Sequence, residues 1–328
     1  MKYLSLIGLL IIFQQIAFAQ VGYSIKPEEA QLIMKRKLLV ITPESDPKQL
    51  EKLKKKGKDQ EAAEIEKLYV AFVEELKEAI DKRWTIHTAV NYKTVDEFLQ
   101  MDKSTHEEYI VMSFLTQSTD IRKKYLYLDP LDKVPGKKKQ GINEFYDQFP
   151  LIAFVLAEDF ILPVRKTVYS RKLPEACPGP LSLFFTLKLI NNHVLESANR
   201  EKKITKNDEK IAVISNHEAL KEKILYIGED WKEDNFGINQ IKATYPYPVQ
   251  IVDQNVLIDK IRSNESQIAV HFVWPEVYIH SSGMGSSMSS STRYVHLIVD
   301  IQSGKILAAS RESGERRLSE KLLKIMLD

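Results

Sequence analysis

Along this chain, short apolar runs alternate with stretches whose apolar residues recur every three or four positions, the pattern of strands alternating with helices. Lys37–Ile41 is one such run. It ends at Thr42-Pro43, and Ser45, Asp46 and Pro47 then supply a helix cap and a first-turn proline. Leu50 and Leu53, followed after Gly57 by Ile65, Leu68, Phe72, Leu76 and Ile80, keep one helical face apolar, which predicts two helices divided by Gly57. Residues 84–90 alternate as a strand does, residues 95–101 fit a short amphipathic helix, and Tyr109–Leu115 is apolar enough for a buried strand. Residues 125–128 and 151–156 are expected to add two antiparallel strands, separated by a basic loop holding Gly136, Lys137, Lys138, Lys139 and Gly141. Residues 181–195 form a helix too densely apolar to face solvent, expected to pack between two halves of the molecule.

The second half repeats this order. Residues 216–227 echo residues 28–41: each carries a Glu-Ala pair, then lysine, then a strand of the form h-Leu-h-Ile with h apolar. Residues 249–252, 256–261 and 267–274 follow as strand, helix and strand. Residues 294–300 and 306–309, joined through Gln302-Ser-Gly-Lys305, predict a last hairpin, and residues 318–327 predict a closing helix. The second half lacks the long first helix. The expected fold is therefore α/β (α+β being the variant), with two tandem, related β-α-β-α-β-β domains of three or two layers. The expected boundaries are residues 20–165 and 206–328, with a helical connector over 166–205.

This order, ending in Leu297-Ile-Val-Asp-Ile-Gln-Ser-Gly-Lys-Ile-Leu307, resembles the small α/β module of TolB N-terminal domains and of curli-assembly CsgG-type proteins. The resemblance covers the second half well and the first half loosely. It implies an envelope-associated, non-catalytic module; the helical segment over 48–82 departs from it.

The first residues carry an address. Lys2 precedes an apolar run over 4–13, and Ala17-Phe18-Ala19 presents a small-x-small cleavage pattern, so residues 1–19 are expected to be a signal peptide and the mature chain to begin at Gln20. The apolar run falls short of the ~20 residues that span a bilayer. A soluble periplasmic or secreted protein without a transmembrane span is expected. Its single cysteine, Cys177, cannot form an internal bridge, and a buried thiol is its expected fate.

Composition narrows the partners. Of 328 residues, 47 are basic and 45 acidic, a net charge of +2 that gives no general attraction for nucleic acid. The clusters at 54–58 and 137–139 sit among carboxylates such as Asp59, Glu61, Glu64, Asp129 and Asp132 and are expected to be solvated faces.

Phosphate loops, H-E-x-x-H, C-x-x-C and G-x-S-x-G are absent, and no cofactor is expected. Ser45-Asp-Pro-Lys48 matches S-x-x-K without its partner motifs and is expected to cap a helix. His271, His280 and His296 fall on expected strands, where they could converge on a metal or simply lie on the sheet. The Ser/Gly-rich stretch over 281–291 is expected to be a mobile hairpin loop; within His280-Ser-Ser-Gly-Met-Gly-Ser-Ser-Met288, His280, Met284 and Met288 are nevertheless a ligand set suited to Cu(I). Open α/β sheets bind ligands beyond the carboxyl ends of their strands, which points to Glu44 and Asp46 after the first strand of one half, and to Glu229, Asp230 and Trp231 after that of the other. The expected function is a non-catalytic binding or scaffolding protein of the bacterial cell envelope, with an envelope protein or polymer as partner. The rival reading is an exported hydrolase acting on such a polymer or peptide.

Overall fold

The computed structural model describes residues 25–45, 47–115, 151–160, 167–173, 179–200, 216–281, 288–310 and 313–327. The expected strand at 125–128, the lysine cluster at 137–139 and Cys177 lie outside the described residues.

The first half runs α1 (Pro27–Lys35), β1 (Lys37–Ile41), α2 (Pro47–Lys54), α3 (Asp59–Arg83), β2 (Val90–Lys93), α4 (Val95–Leu99), β3 (Tyr109–Leu115), β4 (Leu151–Leu156), β5 (Thr167–Lys172) and α5 (Pro180–Ala198). The second runs α6 (His217–Lys221), β6 (Ile224–Gly228), α7 (Ile238–Thr244), β7 (Val249–Val252), α8 (Gln254–Ser263), β8 (Ile268–Ser281), β9 (Met288–Asp300), β10 (Ile306–Ala309) and α9 (Glu320–Leu327). The first sheet is ordered β2-β1-β3-β4-β5, and the second, read in the same sense, β7-β6-β8-β9-β10. In both, the first three strands are parallel and the last two antiparallel. The fold is α/β with two similar units, the second repeating the first except that the single short α7 stands where the first has α2 and the long α3. Thr167–Lys172, inside the span expected to connect the halves, is the edge strand of the first sheet, and α5 holds the place in the first unit that α9 holds in the second.

The register sharpens the repeat. Leu38 faces Val90 and Ile110, and Leu225 faces Val249 and Ala269, so Leu38 corresponds to Leu225. The sequence echo pairs Leu39 with Leu225 instead, one residue out, and a one-residue slip in a strand exchanges its two faces. The echo therefore finds the repeat but assigns its faces wrongly.

Face assignment explains the layering. Along each sheet the first two crossovers run in opposite directions, so right-handed connections put their helices on opposite faces. In the first unit the first-crossover face, bearing Leu38, Val40, Ile110 and Met112, packs with α1, α3 and α5. That same core takes in Tyr226, Val270, Phe272 and Trp274 of the second sheet, together with Leu257 and Ile261 of α8. The second unit thus offers its second-crossover face to the first unit's first-crossover face. The units stack head to tail, sharing one helical layer. Outside it, Phe98 and Phe160 cover the far face of the first sheet, and α7 and α9 cover that of the second with Ile241, Leu322, Leu323 and Met326.

Local chemistry sets the ends of these elements. Gly57, at φ +68°, makes the break between α2 and α3 that its sequence position predicts. Residues 84–89, expected as strand, instead form a corner. Trp84 stacks on Phe154, its Nε1–H donates to His87 Nδ1 at 2.9 Å, and His87 Nε2–H donates to the carbonyls of Arg36 at 2.8 Å and Ile33 at 3.0 Å. The alternation there comes from packing at the corner, and the strand begins at Val90. Each unit also places a cation directly before its first strand and a carboxylate at the end of its fourth. Arg36 grips Glu158 through two bonds of 2.6 and 2.9 Å, and Lys223 reaches Asp300 at 3.2 Å.

Polar joints tie the units together. Arg83, the last residue of α3, is buried and donates to the Ile261 carbonyl in the last turn of α8, to the Asn264 side chain and, at 3.4 Å, to the Ile301 carbonyl. A first-unit guanidinium therefore satisfies a carbonyl at the carboxyl end of a second-unit helix, where positive charge is favoured. Arg262 pairs with Glu78 at 3.2 Å, and Asn192 donates to the Ser303 carbonyl at 2.5 Å. Gly304, at φ +71°, presses its α-carbon against α5, so that an added Cβ would lie 2.6 Å from Lys188 Cγ and 2.9 Å from Asn192 Nδ2. Gly57 has the same backbone conformation with nothing within 4 Å. Gly57→Ala should therefore cost only the left-handed penalty, about 1 kcal/mol, and Gly304→Ala about 3 kcal/mol because overpacking adds to it. Urea midpoints measure both, and equal shifts would mean that the contact between the units does not constrain this turn.

Candidate functional site

The two carboxyl ends singled out by sequence are built differently. In the first sheet Thr42 donates to the Lys93 carbonyl through its N–H at 2.9 Å and its hydroxyl at 3.2 Å, clamping the ends of β1 and β2. Glu44 follows, exposed, with its carboxyl held above the usual range by partial desolvation and then by Asp96 and Glu97. Glu97 is itself committed: it accepts from the Thr94 N–H at 2.8 Å while Thr94 Oγ1 accepts from the Glu97 N–H at 3.2 Å, a capping box at the start of α4. Asp46 lies outside the described residues. Lys48, one residue into α2, is exposed.

In the second sheet, β6 ends at Gly228 and the chain makes a 3-10 turn over Glu229–Trp231. Glu229 and Asp230 point to solvent, whereas Trp231 folds back over the sheet, tilted against Phe272 at 5.6 Å and edge-on to His271 at 6.2 Å. Of the residues expected to form one binding group there, the tryptophan thus serves the core and the two carboxylates stand apart from it. Beyond Trp231 the chain pairs with residues 313–319, which cross the outer face of the sheet as a strap: Leu318 N–H donates to the Trp231 carbonyl at 2.8 Å, and Glu233 N–H to the Leu318 carbonyl at 3.0 Å. Glu233, Asp234 and Asn235 on one side and Glu315, Arg316 and Arg317 on the other line an open cleft of about 670 Å³. Arg317 spans it to Asp234 at 2.8 Å.

Beneath the strap lies a fully buried polar pair. Val273 is opposite His296, so His271 and His296 share a sheet face two positions apart, both fully buried. Their rings stack with centroids 5.2 Å apart and meet Nε2 to Nδ1 at 3.0 Å. His296 Nε2 lies 2.9 Å from the Glu315 carbonyl on the strap, and the Glu315 carboxylate accepts from the Ser319 hydroxyl at 2.9 Å. Burial holds both imidazoles below their usual pKa, with each other's proximity adding for His271. Sequence spacing placed both histidines on strands but not opposite one another, because the register depends on the connection between β8 and β9.

His280, the third strand histidine, lies nine positions beyond His271 at the far end of β8, opposite Ser289. The strands reach Ser281 and Met288, so residues 288–291, expected in a loop, are paired strand. Met284 and the side chains of His280 and Met288 lie outside the described residues. Among the described residues no group of three or more His, Cys, Asp or Glu side chains converges as metal ligands would. No helix among them is long and apolar enough to cross a membrane.

Compared with known proteins, the chain matches no family model, no curated protein and no solved structure.

If Trp231 closes the sheet end, Trp231→Ala should lower stability by about 2–3 kcal/mol through lost packing, while Glu229→Ala and Asp230→Ala stay within about 0.5 kcal/mol of the parent. Denaturant titration of the three variants distinguishes this from a tryptophan held at the surface for a ligand, which would unfold at the parent midpoint.

Proposed function

We propose that this chain is an exported binding or scaffolding protein of the bacterial cell envelope, related in design to TolB- and CsgG-type modules, and that it engages a polypeptide partner through the ribbon of β8 and β9. One observation carries this reading: the ladder continues past the sheet from Val277↔Thr292 to Ser281↔Met288, and among the described residues these five pairs adjoin no third strand. An isolated two-stranded ribbon is at best marginally stable in water. Residues 277–281 and 288–292 read Val-Tyr-Ile-His-Ser and Met-Ser-Ser-Ser-Thr, without the charges or prolines that usually blunt a strand edge. Such an edge suits recognition by strand addition, in which main-chain bonds give affinity and alternate side chains give specificity. Support for export comes from Lys2, the apolar run over 4–13 and Ala17-Phe18-Ala19.

Two measurements test it. Fractionation of cells expressing the full chain, with amino-terminal sequencing, should recover a protein outside the cytoplasm that begins at Gln20. Photo-crosslinkers at Tyr278 and Ser290 should then trap a discrete polypeptide in intact envelopes. A variant joining Glu276 to Arg293 through Asn-Gly, a two-residue hairpin turn, should keep the parent urea midpoint but lose the adduct formed through a third crosslinker at Tyr294. Cytoplasmic retention of an unprocessed chain, or an undiminished Tyr294 adduct without the ribbon, contradicts the proposal.

A further inference from the structure

The buried histidine pair is wired in only one way. A carbonyl can only accept, so His296 Nε2 carries the hydrogen that reaches Glu315. In a neutral ring His296 Nδ1 is then a bare acceptor, and His271 Nε2 must carry the hydrogen between the rings. His271 Nδ1 is left as a lone pair in the interior with no partner among the described residues. One strap carbonyl thus dictates both tautomers, and an added proton can enter without breaking a hydrogen bond only at an atom sealed from water.

Among the described residues one carboxylate acts on the pair: Glu315 favours the charged form of His296, but burial outweighs it. The segments packed over the pair bring Trp231, Lys232, Glu233 and Asp234 from one side and Glu315, Arg316 and Arg317 from the other. Glu315 also accepts from Ser319, Asp234 pairs with Arg317, Glu233 is not among the groups that shift either ring, and Lys232, itself buried, is a like charge. Ser310 bonds the His296 main chain; α7 and α9 face this layer with Ile241, Leu322, Leu323 and Met326, while Glu320 and Lys324 of α9 pair with each other in solvent.

We propose that the His271–His296 pair is an acid-sensitive latch: it holds the 313–319 strap across the second sheet when both rings are neutral, and acidification releases the strap because the rings can accept protons only once it has lifted. The release uncovers the outer face of the sheet and parts the walls of the cleft that Arg317 and Asp234 bridge. The sign follows from linkage. The open state binds more protons below the ordinary histidine pKa of about 6.5, so opening is favoured as pH falls, by about tenfold per pH unit for each ring that gains a proton.

Hydrogen exchange of the whole chain between pH 7.5 and 5.5, corrected for intrinsic rates, should show the opening constant of residues 313–319 rising at least tenfold per unit below pH 6.5, ahead of residues 38–41 in the first sheet. In His271→Gln, where the amide nitrogen still donates to His296 Nδ1 but cannot titrate, the slope should fall by about one proton. A strap whose protection is independent of pH, or a variant with the parent slope, overturns the latch. Should the variant not fold, nitrogen NMR of histidine-labelled wild-type protein decides alone. Both rings should be neutral Nε2–H tautomers in the folded state at either pH; an imidazolium in the closed state at pH 5.5, or an Nδ1–H tautomer of His296, contradicts it.

Discussion

Everything in this molecule is arranged around a helix buried on both sides. Over its 19 residues α5 buries Leu181, Leu183, Phe184, Phe185, Leu187, Leu189, Ile190 and Val194, residues that no single face could contain. Phe185 stacks on Phe272 of the second sheet at 4.0 Å, while His193 meets the Tyr169 hydroxyl of the first sheet at 2.9 Å. Its counterpart α9 buries only Leu322, Leu323 and Met326 and turns Glu320, Lys321 and Lys324 to water. The same topological helix is thus buried on opposite faces where a second unit covers it and amphipathic where the stack ends.

Head-to-tail stacking follows from that constraint and shapes the rest. The first unit gives its first-crossover face to the shared layer and covers its other face lightly, with α4 and Phe160. The second unit keeps its first-crossover face outward, and there the strap, the histidine pair and the cleft are built. Arg83, Glu78 and Asn192 then fix the stacking with polar contacts that a slipped arrangement would leave unpaired. The sites differ between units because the faces they occupy have different neighbours, although the strands beneath them correspond.

Much of this was legible in sequence, for identifiable reasons. Periodicity marks α3, α5, α8 and every strand but β2 and β5 because burial is one- or two-sided along each, and Gly57 marks a turn that only glycine makes easily. The Glu-Ala echo marks the duplication but slips one residue, since apolar residues on both faces of Leu38-Leu39-Val40-Ile41 leave the pattern blind to register. Residues 84–90 mislead because Trp84 is buried and His87 half-buried at a corner. Of the candidate site, the ends of β1 and β6 were found from strand order alone, yet side-chain direction separated Trp231 from Glu229 and Asp230. The histidine pair needed the β8–β9 register, and the strap, an irregular segment bonded at Leu318 and Ser313, carries no period to detect.

The two units share one core and therefore one folding transition. Each unit has a tryptophan of its own: Trp84 against Phe154, and Trp231 against Phe272. Urea unfolding of the mature chain, followed by fluorescence in variants that retain only Trp84 or only Trp231, should give coincident midpoints and slopes when each is referenced to far-ultraviolet circular dichroism of the same variant. A midpoint for Trp231 separated from that of the circular dichroism, with the first unit still folded, would contradict a shared core and make the second unit an independent domain resting on the first.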